Sequence, residues 1–248
     1  MKKEIRQISL LLMVMTLSNY PAFAHTEEAQ APVEVVPPAV KQHDKLVAIT
    51  FDDGPSNATT EKTLKVLKQY GVKATFFVIG ENVQNTKGLV REISSQGHEI
   101  ANHSYTHPQL SRLSADRVRQ ELDKTNKAIV AETGVLPIWF RPPYGAYNKN
   151  VGKVASELGL RTIKWTVDPR DWAGPSAATI EQRVMKELQP GSVVLLHENH
   201  PHTLEALPVL FERMTALGYK FVTINELETG HDKLLLADQR KCTKNEVC

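Results

Sequence analysis

Leu46-Val47-Ala48-Ile49-Thr50-Phe51-Asp52-Asp53-Gly54-Pro55 decides the fold. Its first six residues form an almost unbroken apolar run, the pattern of a strand buried on both faces, and such strands belong to parallel sheets covered by helices. Two carboxylates and a Gly-Pro turn follow, where a dinucleotide-binding fold would carry a glycine-rich phosphate loop. Downstream the same alternation repeats. Helices are expected over 59–70, 89–96, 114–132, 150–158, 179–188 and 204–217, with Gly71, Gly97 and Gly134 as stops and Ser114 as an N-cap. Strands are expected over 74–79, 98–101, 138–140, 161–167, 192–196 and 219–224. Strand–helix alternation across the body argues for a parallel sheet with helices packed outside. The fold class is therefore α/β, a distorted (β/α) barrel with about seven parallel strands that closes imperfectly. A doubly wound open sheet is the rival, and the missing phosphate loop counts against it.

The chain has 248 residues, 41% hydrophobic and 23% charged, a balance that argues against wholesale disorder and against collagen-like or coiled-coil architectures. This length buries a sizeable core without disulfide or metal staples. Lys2, Lys3, Arg6 and Glu4 give residues 1–24 a net +2, which is the formal charge of the whole chain, so the remainder is neutral. A neutral body is weak ground for nucleic acid or an anionic membrane as partner. Residues 1–7 are basic, 8–17 are apolar but too short to span a bilayer comfortably, and Ala22-Phe23-Ala24 is an A-x-A cleavage site. Residues 1–24 read as an export signal, with an uncleaved anchor as the alternative. Export predicts a periplasmic or secreted protein with no stable membrane insertion after cleavage. Residues 25–44, with Pro32, Pro37 and Pro38, read as an extended linker, 45–230 as the folded domain and 231–248 as a polar tail. Cys242 and Cys248 in that tail are either a local staple or two thiols.

Functional groups of parallel α/β folds collect at the carboxyl ends of the strands, and polar clusters fall at those ends here. Asp52 and Asp53 follow the first strand. Adjacent carboxylates in a low-dielectric site are tolerable if one binds a cation and the other pairs with a base, and the competing reading is a turn with a helix-capping Asp. His103 and His107 follow the third strand. Four residues apart, they share one face if the segment makes a helical turn, and two His plus one carboxylate suit Zn²⁺ with a position left for water. Either His alone is ordinary as a core or surface residue. Arg141, in Arg141-Pro142-Pro143-Tyr144-Gly145, is held at the rim by a rigid turn, where it either pairs with a carboxylate or faces solvent. Asp171-Trp172 adds a carboxylate and an aromatic that walls a sugar ring or packs in the core, with Asp168 just before them. His197 ends the sixth strand and is a core histidine or, oriented and charged by Asp171, a general acid. His200 and His202 read as solvent-facing.

Taken together these segments resemble the polysaccharide deacetylases, the NodB-homology domain of carbohydrate esterase family 4. The resemblance rests on five motifs in order: Thr50-Phe51-Asp52-Asp53-Gly54-Pro55, His103-Ser104-Tyr105-Thr106-His107, Arg141-Pro142-Pro143-Tyr144-Gly145, Asp171-Trp172 and Leu195-Leu196-His197. It implies a metal-dependent N-deacetylase on a distorted barrel. By that resemblance Asp53, His103 and His107 hold the metal, usually Zn²⁺ with another divalent cation as the alternative. Asp52 is the general base, His197 the general acid, Arg141 orients Asp52 and Asp171 tunes His197. The backbone N–H of Tyr144 serves the oxyanion, and Trp172 and Leu195 line the acetyl pocket. The implied partner is an acetylated glycan containing N-acetylglucosamine: peptidoglycan, a chitin-type oligomer or poly-N-acetylglucosamine. The competing functions are an O-acetyl esterase on xylan-like glycans, a hydrolase of a small non-sugar amide, and a non-catalytic glycan-binding protein. The intact set of base, acid and metal ligands argues against the last.

Overall fold

Six of the eight residues of β1 (Lys45–Asp52) are buried, and the remaining elements are arranged around this strand. The computed structural model describes residues 45–229; the expected signal segment, linker, tail and the pair Cys242 and Cys248 lie outside the described residues. Six more strands follow: β2 (Thr75–Val78), β3 (Glu99–Asn102), β4 (Trp139–Phe140), β5 (Arg161–Thr162), β6 (Ser192–His197) and β7 (Tyr219–Val222). All pairings are parallel, in the order β5-β4-β3-β2-β1-β6, with β7 beside the first half of β1. The ring closes at an irregular seam. Residues leaving β5 cross to the free edge of β6, where Val167 makes one isolated parallel bridge with Val194. The fifth strand is thus two residues long instead of the seven expected, because its second half spans this gap.

Helices α1 (Thr60–Tyr70), α2 (Gly80–Asn85), α3 (Leu89–Ser95), α4 (Ala115–Thr133), α5 (Lys149–Glu157), α6 (Ala177–Glu187) and α7 (Pro201–Ala216) surround the strands. Ser114 caps α4 by accepting from the Arg117 N–H, and Gly134 ends it at φ 72°, a left-handed conformation that costs glycine little. Two helices begin earlier than periodicity suggests. Ser176 caps α6, and Pro201 opens α7, since both residue types suit a first turn that needs no apolar side chain. Helix α2, which is short and polar, escaped the periodicity reading.

The strand period of two divides the side chains. Val47, Ile49 and Phe51 of β1 join Phe76, Val78, Val194 and Leu196 in the core beneath the helices, against Leu64, Leu67, Phe211 and Met214. Phe51 stacks on Phe76 with ring centroids 5.1 Å apart. Burying each such side chain is worth about 1.5–3 kcal/mol. The alternate residues face the barrel axis, where Ala48, Phe77, Ala101, Trp139 and Val193 pack together. This inward series continues upward into the polar residues.

Candidate active site

Following the inward series along each strand leads to one place. Ala48 is succeeded by Thr50 and Asp52 on β1, Ala101 by His103 beyond β3, Trp139 by Arg141 beyond β4, and Val193 by Leu195 and His197 on β6. Asp52 and His197 are register partners on adjacent strands. The site follows from strand periodicity acting on four separate segments.

Asp53 ought to point away from Asp52, as neighbours on a strand do. Its φ of 71° turns the chain back, so both carboxylates serve the same site. Asn82 of α2 fixes this turn by donating to the Asp53 carbonyl at 2.8 Å. His103 and His107 are brought together by an irregular turn with left-handed φ at Ser104 (65°) and His107 (58°), not by the helical turn expected from their spacing. The His103 Nδ1–H donates to the Arg141 carbonyl at 2.8 Å, which leaves the Nε2 lone pair facing Asp53. The Asp53 Oδ1 lies 3.5 Å from His103 Nε2 and 3.3 Å from His107 Nε2, and one ligand atom from each of the three residues lies within 4.8 Å of the others. That Oδ1 is buried without a hydrogen-bond partner. A buried acceptor facing two imidazole nitrogens is a donor set that fits a divalent cation of the Zn²⁺ type. Burial raises the Asp53 carboxyl, but His103, then His107 and His197, outweigh it and bring its pKa to about 2. Burial, then the charge of His103, holds the His107 imidazole below its ordinary value. Both shifts favour the deprotonated forms that bind metals.

Asp52 is held from the other side. Arg141, fully buried within the barrel and not at its surface, donates to Asp52 Oδ1 at 2.6 Å, to Thr50 Oγ1 at 2.8 Å and to the Lys164 carbonyl at 3.1 Å. Its guanidinium stacks 3.9 Å from the Phe77 ring centroid. The second carboxylate oxygen of Asp52 is 3.5 Å from His103 Nε2. Across the mouth, Asp171 accepts from His197 Nδ1 at 2.7 Å, from the His197 backbone N–H at 2.7 Å, from Thr203 Oγ1 at 2.7 Å and from the Trp172 N–H at 3.0 Å. The carboxylate only accepts, so Nδ1 carries the proton. Burial alone would lower the His197 pKa; the hydrogen bond and charge of Asp171, with Asp52 and Asp53, raise it above the ordinary value.

Behind the Asp53 loop sits Glu198, 1% exposed. Its Oε1 accepts from Thr60 Oγ1 at 2.7 Å, and that hydroxyl accepts from the Ser56 N–H at 2.8 Å. Burial pushes the Glu198 carboxyl up to about 7 despite the Thr60 bond. A Cβ on Gly54 would stand 2.0 Å from Glu198 Oε1, so a side chain at position 54 would have to displace that buried carboxyl.

Around the mouth, Leu195 is buried on the inward face of β6, while Trp172 and Tyr144 are exposed at 52% and 71%. Tyr144 has φ 58° and sets its ring 4.7 Å from that of His107. Asp168 stays outside the cluster and caps its own turn through the Arg170 N–H. His202 is exposed, whereas His200 is half-buried with its ring 6.0 Å from that of His197, so only one of the two is solvent-facing as expected. Sequence reasoning missed Asn82, Thr203 and Glu198, whose partners lie far along the chain and which no motif spacing marks.

The polysaccharide deacetylase family profile matches residues 39–163. A peptidoglycan-N-acetylglucosamine deacetylase, PgdA of Listeria monocytogenes, is 42% identical over 184 residues, 74% of this chain and 39% of the relative. The chain thus spans about two fifths of that relative's length. The solved structure of the peptidoglycan deacetylase PdaC from Bacillus subtilis superposes with a TM-score of 0.75 at 34% identity, covering 80% of this chain and 96% of that one. BA3943 from Bacillus anthracis, described as a pseudoenzyme of carbohydrate esterase family 4, superposes with a TM-score of 0.71 at 38% identity, covering 74% and 65%.

Proposed function

The chain belongs to the polysaccharide deacetylase family, and from that premise we propose that it is a metal-dependent hydrolase removing N-acetyl groups from a glycan containing N-acetylglucosamine, with release of acetate. Peptidoglycan, chitin-type oligomers and poly-N-acetylglucosamine are the candidate polymers. The chain acts in the periplasm or outside the cell after export directed by residues 1–24. The observation that carries this reading is the trio Asp53, His103 and His107, flanked on one side by an Arg-held carboxylate and on the other by an Asp-paired imidazole.

Asp53, His103 and His107 would hold the cation, with Zn²⁺ favoured by the donor set. When bound, the cation lowers the pKa of a water and polarises the acetyl carbonyl. Asp52 takes the proton of the attacking water; Arg141 and Thr50 keep its carboxylate in one orientation. The Tyr144 backbone N–H donates to the oxyanion, and losing one such donor typically costs about 3 kcal/mol of barrier. His197, protonated and steadied by Asp171, gives its proton to the departing nitrogen, since an amine leaves poorly unprotonated. Leu195 and Trp172 enclose the acetyl methyl.

The test incubates metal-loaded protein with N-acetylated and O-acetylated glycans and measures acetate alongside new free amines. Equal acetate and amine is expected. Acetate without amine would make the protein an esterase, and neither product, with one equivalent of metal bound, would make it a glycan-binding protein.

A further inference from the structure

We infer that Glu121 is a positioning residue of the metal centre: its carboxylate holds the turn between His103 and His107 in the conformation that aims both imidazoles at Asp53. This rests on the metal-binding reading proposed above. The turn is an improbable piece of backbone, with two non-glycine residues at left-handed φ within four positions, and such conformations persist only where surroundings over-determine them.

Helix α4 supplies much of that surrounding. Glu121 Oε2 accepts from two consecutive backbone donors, the Tyr105 N–H at 2.9 Å and the Thr106 N–H at 2.8 Å, while Oε1 accepts from Thr106 Oγ1 at 2.9 Å. Two successive N–H groups converging on one oxygen fix the orientation of the Ser104–Tyr105 and Tyr105–Thr106 peptides, and with them the direction in which the chain delivers His107. Glu121 is 8% exposed, and among the described residues its carboxylate is met by these neutral donors and by no salt-bridging cation. A buried carboxylate without a counter-ion is costly unless donors satisfy it, and here the donors are those of this turn.

The same helix grips the turn a second time. Asn102 accepts from the Ser104 N–H at 2.8 Å, and its amide donates to the Leu122 carbonyl at 2.9 Å and to Asn126 Oδ1 at 2.7 Å. Gly80 permits the close approach, since a Cβ there would lie 2.5 Å from the Tyr105 ring and 2.7 Å from Thr125 Oγ1. The turn is thus clamped between α2 and α4, and Glu121 supplies the charged contact.

The test is titration of the full protein with Zn²⁺ alone by calorimetry, comparing wild type, Glu121→Gln and Thr106→Val, with circular dichroism as a check on folding. Glu121→Gln keeps the size but leaves one acceptor oxygen where two served, and about 10- to 100-fold weaker Zn²⁺ binding is expected. Thr106→Val removes only the hydroxyl bond and is expected to lose less affinity. Saturating Zn²⁺ is expected to restore kcat of Glu121→Gln towards wild type with KM for the glycan unchanged. Amide exchange in metal-free protein is expected to speed up at Tyr105 and Thr106 in Glu121→Gln. Wild-type Zn²⁺ affinity in Glu121→Gln overturns this inference alone. No Zn²⁺ binding by the wild type overturns the metal reading and this inference with it.

Discussion

Replacing Asp171 by Asn removes a charge while leaving the volume of a side chain that is almost wholly buried. The carboxylate accepts four hydrogen bonds, two of them from His197. An amide has one acceptor oxygen, so its NH₂ must face a donor. The bond to the protonated imidazole is charge-assisted, and such bonds are worth about 1.5–3 kcal/mol. At 1.36 kcal/mol per tenfold, that predicts a loss of about 10- to 150-fold in kcat. The loss should reach at most the low end of the roughly 10²–10⁴-fold expected for His197→Ala, which removes the proposed acid itself. The pH profile carries a separate signature. His197 sits above its ordinary pKa because Asp171, Asp52 and Asp53 outweigh burial, so without the Asp171 charge its pKa falls and the alkaline limb of kcat moves to lower pH. Stability follows by linkage. The His197 contribution is fully present below 6.5 and is lost as pH rises through the raised folded value; the Asp171 contribution is present above 3.8 and is lost as pH falls through its lowered folded value. Urea unfolding of wild type and Asp171→Asn should therefore differ most between pH 3.8 and 6.5. The assay is acetate release from an N-acetylated oligosaccharide across pH. An unmoved alkaline limb, or kcat within threefold of wild type, would refute the reasoning.

Asp53→Ala should leave only two imidazoles, too few to retain the proposed cation, and elemental analysis after dialysis should find far less than one equivalent; full retention overturns the ligand assignment. Gly54→Ala forces a methyl to within 2.0 Å of Glu198 Oε1 and should cost about 1–3 kcal/mol by urea unfolding. In a double-mutant cycle Glu198→Ala should relieve part of that cost, and strict additivity would show that the collision is not its source. Phe51→Ala opens a cavity beside Phe76 and should lower unfolding free energy by about 3–5 kcal/mol while leaving Zn²⁺ affinity intact; a smaller loss would mean the layer beneath the helices collapses to fill it.

The strand at 45–52 was legible because burial on both faces leaves a continuous apolar run, and the polar clusters were legible because strands aim their ends at a common rim. The turns that make the clusters a site were not. Adjacent aspartates on a strand should diverge, and nothing in Asp52-Asp53 announces that Asp53 turns back at φ 71°. The spacing of His103 and His107 suggested a helical turn, yet the chain reaches the same juxtaposition through a backbone that only its surroundings enforce. Thr50, part of the first motif, is held by the Val194 carbonyl 144 residues away, and Thr203 reaches Asp171 across 32. Such partnerships are products of the closed ring, so they become readable only once the ring exists.

Where the wall between β5 and β6 thins to one bridge, the barrel resembles a belt whose ends overlap by a single hole. Asp171 belongs to the chain arriving at one end, and three of its four bonds go to His197 and Thr203 on the other. The carboxylate that steadies the imidazole is therefore also the buckle. A mutation that silences it slackens the hoop at the same stroke, so this protein could not lose the carboxylate beside His197 and keep its barrel equally taut.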